Sequence, residues 1–240
     1  MQVIEWEKDE SVAIINMCNG PNKQNLVFVT QMDQCFDEIL EDKEIYSIVL
    51  TSTDEKNFSQ GIDIEWLGQK MNDKDFDSIK TFMYGMNAIF KRVLLMPVPV
   101  IAAINGHAFG NGAMLACSCD FRFMKKDKGF FCFPEVDISI PFLPGMIEFV
   151  RKAIPEHKFN EMILSGKRLG AKELEACNVI VNASDNREEL LKDALGFAKT
   201  FMKKRGIFGE LKKRMHKGII KVMETEDTKL IDSLNLFIRE

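Results

Sequence analysis

Apolar and polar positions follow two rhythms along this chain. Residues 3–6 and Val12–Met17 alternate as strands do, with charged residues 7–11 between them, which predicts a hairpin. Asn19-Gly20-Pro21-Asn22 is loop chemistry. Residues 29–40 switch to helical spacing, with Met32, Phe36, Ile39 and Leu40 on one face. Residues 46–51 (YSIVLT) predict a short buried strand, and residues 52–56 a polar loop. Phe76–Leu95 predicts a long helix that Pro97 and Pro99 bring to an end. Val100–Ile104 predicts a second buried strand running straight into Asn105-Gly106.

The alternation predicts an α/β fold, its strands covered by helices. From about residue 155 the pattern is nearly all helical: residues 155–164, Ala171–Ala176, 187–204, 209–223 and 229–238, with one strand expected at 178–181. A change at about residue 185 marks residues 186–240 as a C-terminal helical region appended to a core over residues 1–185.

Composition narrows the class. The chain has 240 residues, 46% hydrophobic and 28% charged, and a formal net charge of −4, which predicts a soluble globular protein with a full core. That balance lacks the basic excess that nucleic-acid binding needs, so no nucleic-acid partner is expected. Glu5, Glu7, Lys8, Asp9 and Glu10 stand where an apolar signal core would lie, and residues 93–104 are too short and proline-interrupted to span a bilayer. Cytoplasmic residence without membrane association is the expectation. Six cysteines form no C-x-x-C pair, and only three histidines accompany them, so reduced structural thiols and no metal are expected.

Two strand-to-loop junctions carry candidate chemistry. One is Phe58-Ser59-Gln60-Gly61-Ile62-Asp63-Ile64; the other is Asn105-Gly106-His107-Ala108-Phe109-Gly110-Asn111-Gly112. Gly61, Gly110 and Gly112 allow unusual dihedrals and close approach of a ligand. A glycine-rich loop that opens a helix offers unpaired N–H groups to an oxyanion. Each loop alone reads equally as an ordinary turn. No dinucleotide fingerprint, P-loop or G-x-S-x-G elbow is present.

Together and in this order, the loops resemble the crotonase (enoyl-CoA hydratase/isomerase) superfamily. FSQGIDI is similar to its F-x-x-G-x-D-[IL] loop, and residues 99–112 (PVIAAINGHAFGNG) to the segment in which a strand passes through Asn-Gly into a glycine-rich helix start. Residues 19–26 (NGPNKQNL) loosely resemble its N-terminal loop, and CDFRFM at 119–124 with Phe133-Pro134-Glu135 its later strand and Pro-Glu. The similarity runs from about residue 6 to 182 and fades in the C-terminal helices.

The resemblance implies a ββα spiral core followed by a helical trimerisation region, and a homotrimer, or a hexamer as a dimer of trimers. It implies an acyl-CoA substrate with no separate cofactor, since coenzyme A belongs to the substrate. The main-chain N–H groups of Ile62 and Asn111 would form the oxyanion hole, with Asn111 standing where the family commonly has Gly. Glu135, among Phe130, Phe131, Phe133 and Val136, would be the base, its pKa raised by apolar neighbours. Ser59, Gln60, Gly61, Asp63, Ile64, Gly110, Met114, Trp66 and Phe142 would bind substrate, with Met86 and Phe90 also lining the acyl pocket.

Family hydratases grip water between two glutamates, the first lying four residues beyond the first glycine of the second loop; that position here is Met114. A thioether cannot orient water as a carboxylate does. One glutamate suffices to move a double bond, and the mitochondrial-type and plant-type Δ3,Δ2-enoyl-CoA isomerases share this arrangement. The other isomerase branch places its acid where this chain has Phe142-Leu143-Pro144. Dienoyl-CoA isomerisation with Asp137 assisting, weak hydration, and non-catalytic acyl-CoA binding are the alternatives. Asp137 is read first as a loop or cap residue and His107 as structural. The C-terminal lysines between residues 199 and 221 are a solvated face or, alternatively, contacts for CoA phosphates. The stripe of Leu230, Ile231, Leu234 and Phe237 is an assembly surface or intrachain core.

Overall fold

The structure is a computed structural model and describes residues 2–236. In chain order it forms β1 (Ile4–Asp9), β2 (Val12–Met17), β3 (Lys23–Gln24), α1 (Leu26–Glu41), β4 (Ser47–Ser52), β5 (Asn57–Ser59) and β6 (Gly61–Ile62). Then follow α2 (Ile64–Asn72), α3 (Phe76–Leu95), β7 (Val100–Ile104), β8 (His107–Phe109), α4 (Asn111–Ser118), β9 (Phe121–Lys125) and β10 (Phe131–Cys132). After a 3₁₀ turn at Pro134–Val136 come α5 (Pro144–Ala153), α6 (Glu156–Ser165), α7 (Ala171–Ala176), β11 (Asn182–Ser184) and α8 (Arg187–Ala198). Last among the described residues come α9 (Arg205–Val222), a π turn (Met223–Asp227) and α10 (Thr228–Asp232).

Six strands form the main sheet in the order β1-β2-β4-β7-β9-β11. The β1–β2 hairpin is antiparallel; the other pairs are parallel. Every residue of β4 and β7 is buried, as expected of parallel strands covered on both faces. One face packs on α1 and α3. The other face, through Val12, Val49, Ile101 and Phe123, packs on Leu190, Ala194 and Ala198 of α8.

The chain makes three successive turns of one spiral. Each passes from a main-sheet strand into a short strand of a second sheet: β4 to β5, β7 to β8, β9 to β10. These short strands pair in parallel in the order β10-β8-β5. Their C-terminal ends therefore converge, and the residues that follow are Gln60–Ile62, Gly110–Asn111 and Phe133–Glu135. This convergence builds the site.

Several expectations need correction. Residues 178–181 are a turn, and the strand lies later, at β11, which pairs with β9. The helix expected over 187–204 stops at Ala198, where Phe197 and Phe201 fold around Phe121. The next helix starts at Arg205, whose guanidinium donates to the carbonyls of Leu40 (3.1 Å) and Ile45 (3.0 Å for Nε). Helices α2 and α5, not anticipated, begin at an Asp63 cap and at Pro144 in the first turn. In the C-terminal stripe Ile231 is fully buried, and Leu230 and Leu234 pack against the same core; Phe237 lies outside the described residues. No helix among the described residues is long and apolar enough to cross a membrane.

Candidate active site

The two glycine loops interlock backbone to backbone. A Cβ on Gly61 (φ +81°) would stand 2.7 Å from the Phe109 carbonyl oxygen and 3.0 Å from the Asn111 nitrogen. A Cβ on Gly112 would stand 2.4 Å from the Ser59 oxygen. No other residue type fits either place, because the obstructing atoms are main chain. This contact brings Ile62 beside the start of α4.

Two N–H groups are left pointing to one space. In α4 the first main-chain bond of the helix is donated by Met114 to Gly110, so the N–H groups of Asn111, Gly112 and Ala113 precede the hydrogen-bonded ladder. In β6, Asp63 N–H donates to the Gln24 carbonyl at 2.9 Å. Alternation along the parallel ladder then turns the Ile62 N–H away from β3. Both Ile62 and Asn111 line a cavity of about 390 Å³.

Glu135 enters the same cavity from the 3₁₀ turn. It is buried, its Oε2 has no hydrogen-bond partner among the described residues, and burial pushes its pKa from 4.5 up to about 8. Desolvation without a compensating cation is the cause. The remaining lining residues are Gln60, Ile64, Leu67, Met83, Phe109, Gly110, Met114, Pro134, Ile138, Ile140, Pro141, Phe142, Leu143, Met146 and Leu236. Glu135 is thus the single titratable side chain on the wall among the described residues.

The residues expected to bind substrate divide into two groups. Gln60, Ile62, Ile64, Gly110, Asn111, Met114 and Phe142 line the cavity with Glu135. Ser59, Gly61 and Asp63 stand behind it as scaffold. Ser59 Oγ donates to the Asn22 carbonyl at 2.7 Å and accepts from Gly61 N–H at 3.1 Å. Asp63 caps α2 by accepting from Trp66 N–H at 3.2 Å. Trp66 is a correction: its ring packs edge-on against Phe82 at 5.3 Å and stays off the cavity wall. Met86 and Phe90 are corrections too, buried in the core with Phe90 against Phe149; one helical turn away, Met83 takes the lining position. The helical stripe on α3 was legible, but not which of its residues faces the void.

Asp137 does not reach the cavity. Its carboxylate lies against Gly166, where a Cβ would come within 2.5 Å of Oδ2. His107 stands at the opposite end of β8 from Gly110, accepting at Nδ1 from Phe130 N–H at 3.2 Å, between the rings of Phe109 and Phe130. Burial, then Arg168 and Lys125, lowers its pKa. Among the C-terminal lysines, Lys212 is buried against Asp120 at 2.7 Å, and Lys199 pairs with Asp9 and Glu10. Lys203, Lys204, Lys213, Lys217 and Lys221 are exposed. Among the described residues no three His, Cys, Asp or Glu side chains are grouped to hold a metal.

Sequence reasoning missed Gln24. This fully buried residue accepts from Asn111 Nδ2 at 2.7 Å and donates to Ser59 Oγ at 3.3 Å. Its signal, a polar residue between two loop asparagines, is indistinguishable in sequence from a solvated loop.

Comparison with known proteins agrees with this architecture. The chain is 34% identical over 140 residues to a short-chain-enoyl-CoA hydratase of Clostridium acetobutylicum, covering 58% of this chain and 51% of that one. It is 32% identical over 147 residues to enoyl-CoA delta isomerase 3 of Arabidopsis thaliana, covering 60% of each. The matches thus span about half to three fifths of the length of these curated relatives. An enoyl-CoA hydratase/isomerase family protein of Pseudomonas syringae superposes with a TM-score of 0.86 at 19% identity, covering 96% of this chain and 97% of the other. That likeness establishes the crotonase-type spiral fold. The enoyl-CoA hydratase/isomerase family model matches residues 7–235, and the chain belongs to that family.

Proposed function

We propose that this protein is a Δ3,Δ2-enoyl-CoA isomerase. The observation that carries the reading is a cavity wall that bears, among the described residues, one carboxyl group, Glu135, together with the N–H groups of Ile62 and Asn111, and has Met114 where a second acid would be needed for hydration.

The thioester carbonyl oxygen accepts from the Ile62 and Asn111 N–H groups. Ionised Glu135 removes a proton from C2 of a 3-enoyl-CoA; the electron pair moves onto the oxygen, giving a conjugated enolate. The two donors stabilise that charge as it develops, each typically worth roughly 10²–10³ in rate. Glu135, now neutral, returns the proton at C4 on the same face, and the electrons fall back to leave the 2-enoyl-CoA. Nothing is gained or lost overall. A carboxylate whose pKa stands near 8 is a stronger base than an ordinary glutamate, and nearer to the acidity of the carbon it must deprotonate.

Hydration needs a water held between two polar partners. Besides Glu135, the polar side chains on the wall among the described residues are the amides of Gln60 and Asn111; none is a second carboxylate, and Met114 offers only a thioether. Purified protein incubated with 3-hexenoyl-CoA and followed at the absorbance of the conjugated product tests the reading. Steady turnover supports it. Tight binding of the ester without turnover would leave a non-catalytic acyl-CoA-binding protein.

A further inference from the structure

We propose that Gln24 is a positioning residue whose side chain acts as a strut between the two donor loops, holding the Asn111 and Ile62 N–H groups at a fixed separation. The inference rests on reading those groups as the oxyanion hole.

Gln24 touches both loops with both of its polar systems. Its main chain pairs with β6 beside Ile62 and accepts from Asp63 N–H at 2.9 Å. Its side-chain Oε1 accepts from Asn111 Nδ2 at 2.7 Å, and Nε2 donates to Ser59 Oγ at 3.3 Å. Ser59 in turn accepts from Gly61 N–H at 3.1 Å, the peptide just before Ile62. An unbroken chain of hydrogen bonds therefore runs from residue 111 through Gln24 to residue 61.

The amide of Gln24 has one orientation. Ser59 Oγ gives its only proton to the Asn22 carbonyl at 2.7 Å, so toward Gln24 it can only accept. Nε2 must face Ser59, which leaves Oε1 for the Asn111 amide. All these side chains are buried, so reversing or breaking the link strands polar groups away from water. The arrangement also gives a use to Asn111, which stands where glycine is common in the family this chain resembles. A glycine there could not be tethered.

Oxyanion stabilisation depends on donors set in advance to a fraction of an ångström, and misplacement by about 1 Å can cost roughly 10²-fold. Gln24 does not itself line the cavity, so its influence on rate must pass through Asn111 and Ile62. Gln24→Met, similar in volume but unable to form these bonds, is the test. We expect kcat on 3-hexenoyl-CoA to fall about 10- to 100-fold with KM within about threefold. The carbonyl stretch of bound crotonyl-CoA, which the wild type should red-shift, should move back toward its solution frequency in the variant. In an Asn111→Gly background the same substitution should change little more, because the strut has lost its far end.

An unchanged carbonyl frequency and kcat in Gln24→Met would overturn the proposal, whatever its melting temperature. If that variant fails to fold, Asn111→Gly alone decides by the same two readouts. A wild type that red-shifts the bound carbonyl without isomerising would end the isomerase reading but leave the strut testable by frequency alone. No red shift in the wild type would overturn both.

Discussion

A Cβ built on Gly110 would stand 3.0 Å from Oε1 of Glu135. The residue that caps helix α4 is therefore also the one against which the Glu135 carboxyl rests. Gly110 holds φ +51° and ψ −122°, a conformation open to glycine and strained for any other residue. Gly110→Ala should lower stability by about 1–3 kcal/mol, read as a fall in melting temperature. It should also push the carboxyl away from C2, reducing kcat roughly 10- to 100-fold while the Kd for an acyl-CoA product changes little. Equal kcat in the two proteins would show that Glu135 does not depend on this contact.

Glu135→Gln should abolish nearly all isomerisation. The amide matches the carboxylate in size but cannot take a proton from C2, and a general base typically contributes roughly 10²–10⁴ in rate. No second acid among the described residues lines the cavity to substitute. Calorimetric binding of a CoA ester should stay close to wild type, separating loss of the proton shuttle from loss of the pocket. Isomerisation near the wild-type rate would redirect attention to Asp137, although its carboxylate lies away by Gly166.

The pH dependence follows from the direction of the Glu135 shift. Its folded pKa, about 8, lies above its ordinary 4.5, so between those values the folded protein holds a proton that the unfolded chain has lost. Stability from this site is present below 4.5 and is lost as pH rises toward 8. Activity moves the opposite way, because the base works ionised: kcat/KM should climb with pH and level off above about 8. Glu135→Gln should lack this loss of stability and, at pH 8, melt several degrees higher than wild type, at roughly 2–4 °C per kcal/mol. A kcat/KM plateau beginning near 5 would mean that the carboxylate of the free protein keeps its ordinary pKa.

What the sequence revealed was local. Gly61, Gly110 and Gly112 announced two strand-to-loop junctions, and their spacing from β4 and β7 placed them at strand ends. Glu135 beside Pro134 among phenylalanines announced a buried acid. Missing from the string was the second sheet, since β5, β8 and β10 are only two or three residues long and too short to show a period. Without that sheet, the meeting of residues 62, 111 and 135 could be expected only from the family resemblance. Trp66 and Phe90 misled for a related reason. Helical periodicity gives the buried face, but a buried face can meet either core or cavity. Gln24 was hidden because its partners lie 35 and 87 positions away.

The exposed lysines of α9 and the loop before it offer a test of substrate electrostatics and assembly. Lys212 and Lys199 are already paired, so Lys203, Lys204, Lys213, Lys217 and Lys221 are the lysines of this stretch left facing solvent. If a trimer brings them to a neighbouring cavity, KM for acyl-CoA should rise steeply with salt while KM for the matching acyl-pantetheine does not. Light scattering should then give about three times the 27.5 kDa chain mass, or six times for paired trimers. A monomer at micromolar concentration, or equal salt sensitivity of both esters, would assign these lysines to a solvated face.

Met114 is the substitution that separates moving a double bond from adding water to one. It lies in the first turn of α4, buried, on the same cavity wall as Glu135. The wild type should hydrate 2-enoyl-CoA poorly, because a water beside Glu135 would find a thioether where it needs a second acceptor. Met114→Glu supplies that acceptor next to the N–H groups of α4, whose dipole favours an anion. Two costs oppose it. A carboxylate within an apolar wall loses hydration, and Glu135 nearby disfavours a second negative charge. The variant should therefore be less stable than wild type by roughly 1–3 kcal/mol, carry one of the two acids protonated near neutral pH, and gain a small hydratase rate. Its isomerase rate should fall, because Glu135 would share its proton with the new acid. Vigorous hydration by the wild type would contradict the single-base mechanism; a stable Met114→Glu protein with unchanged isomerase kinetics would place residue 114 outside the reach of the reacting carbons.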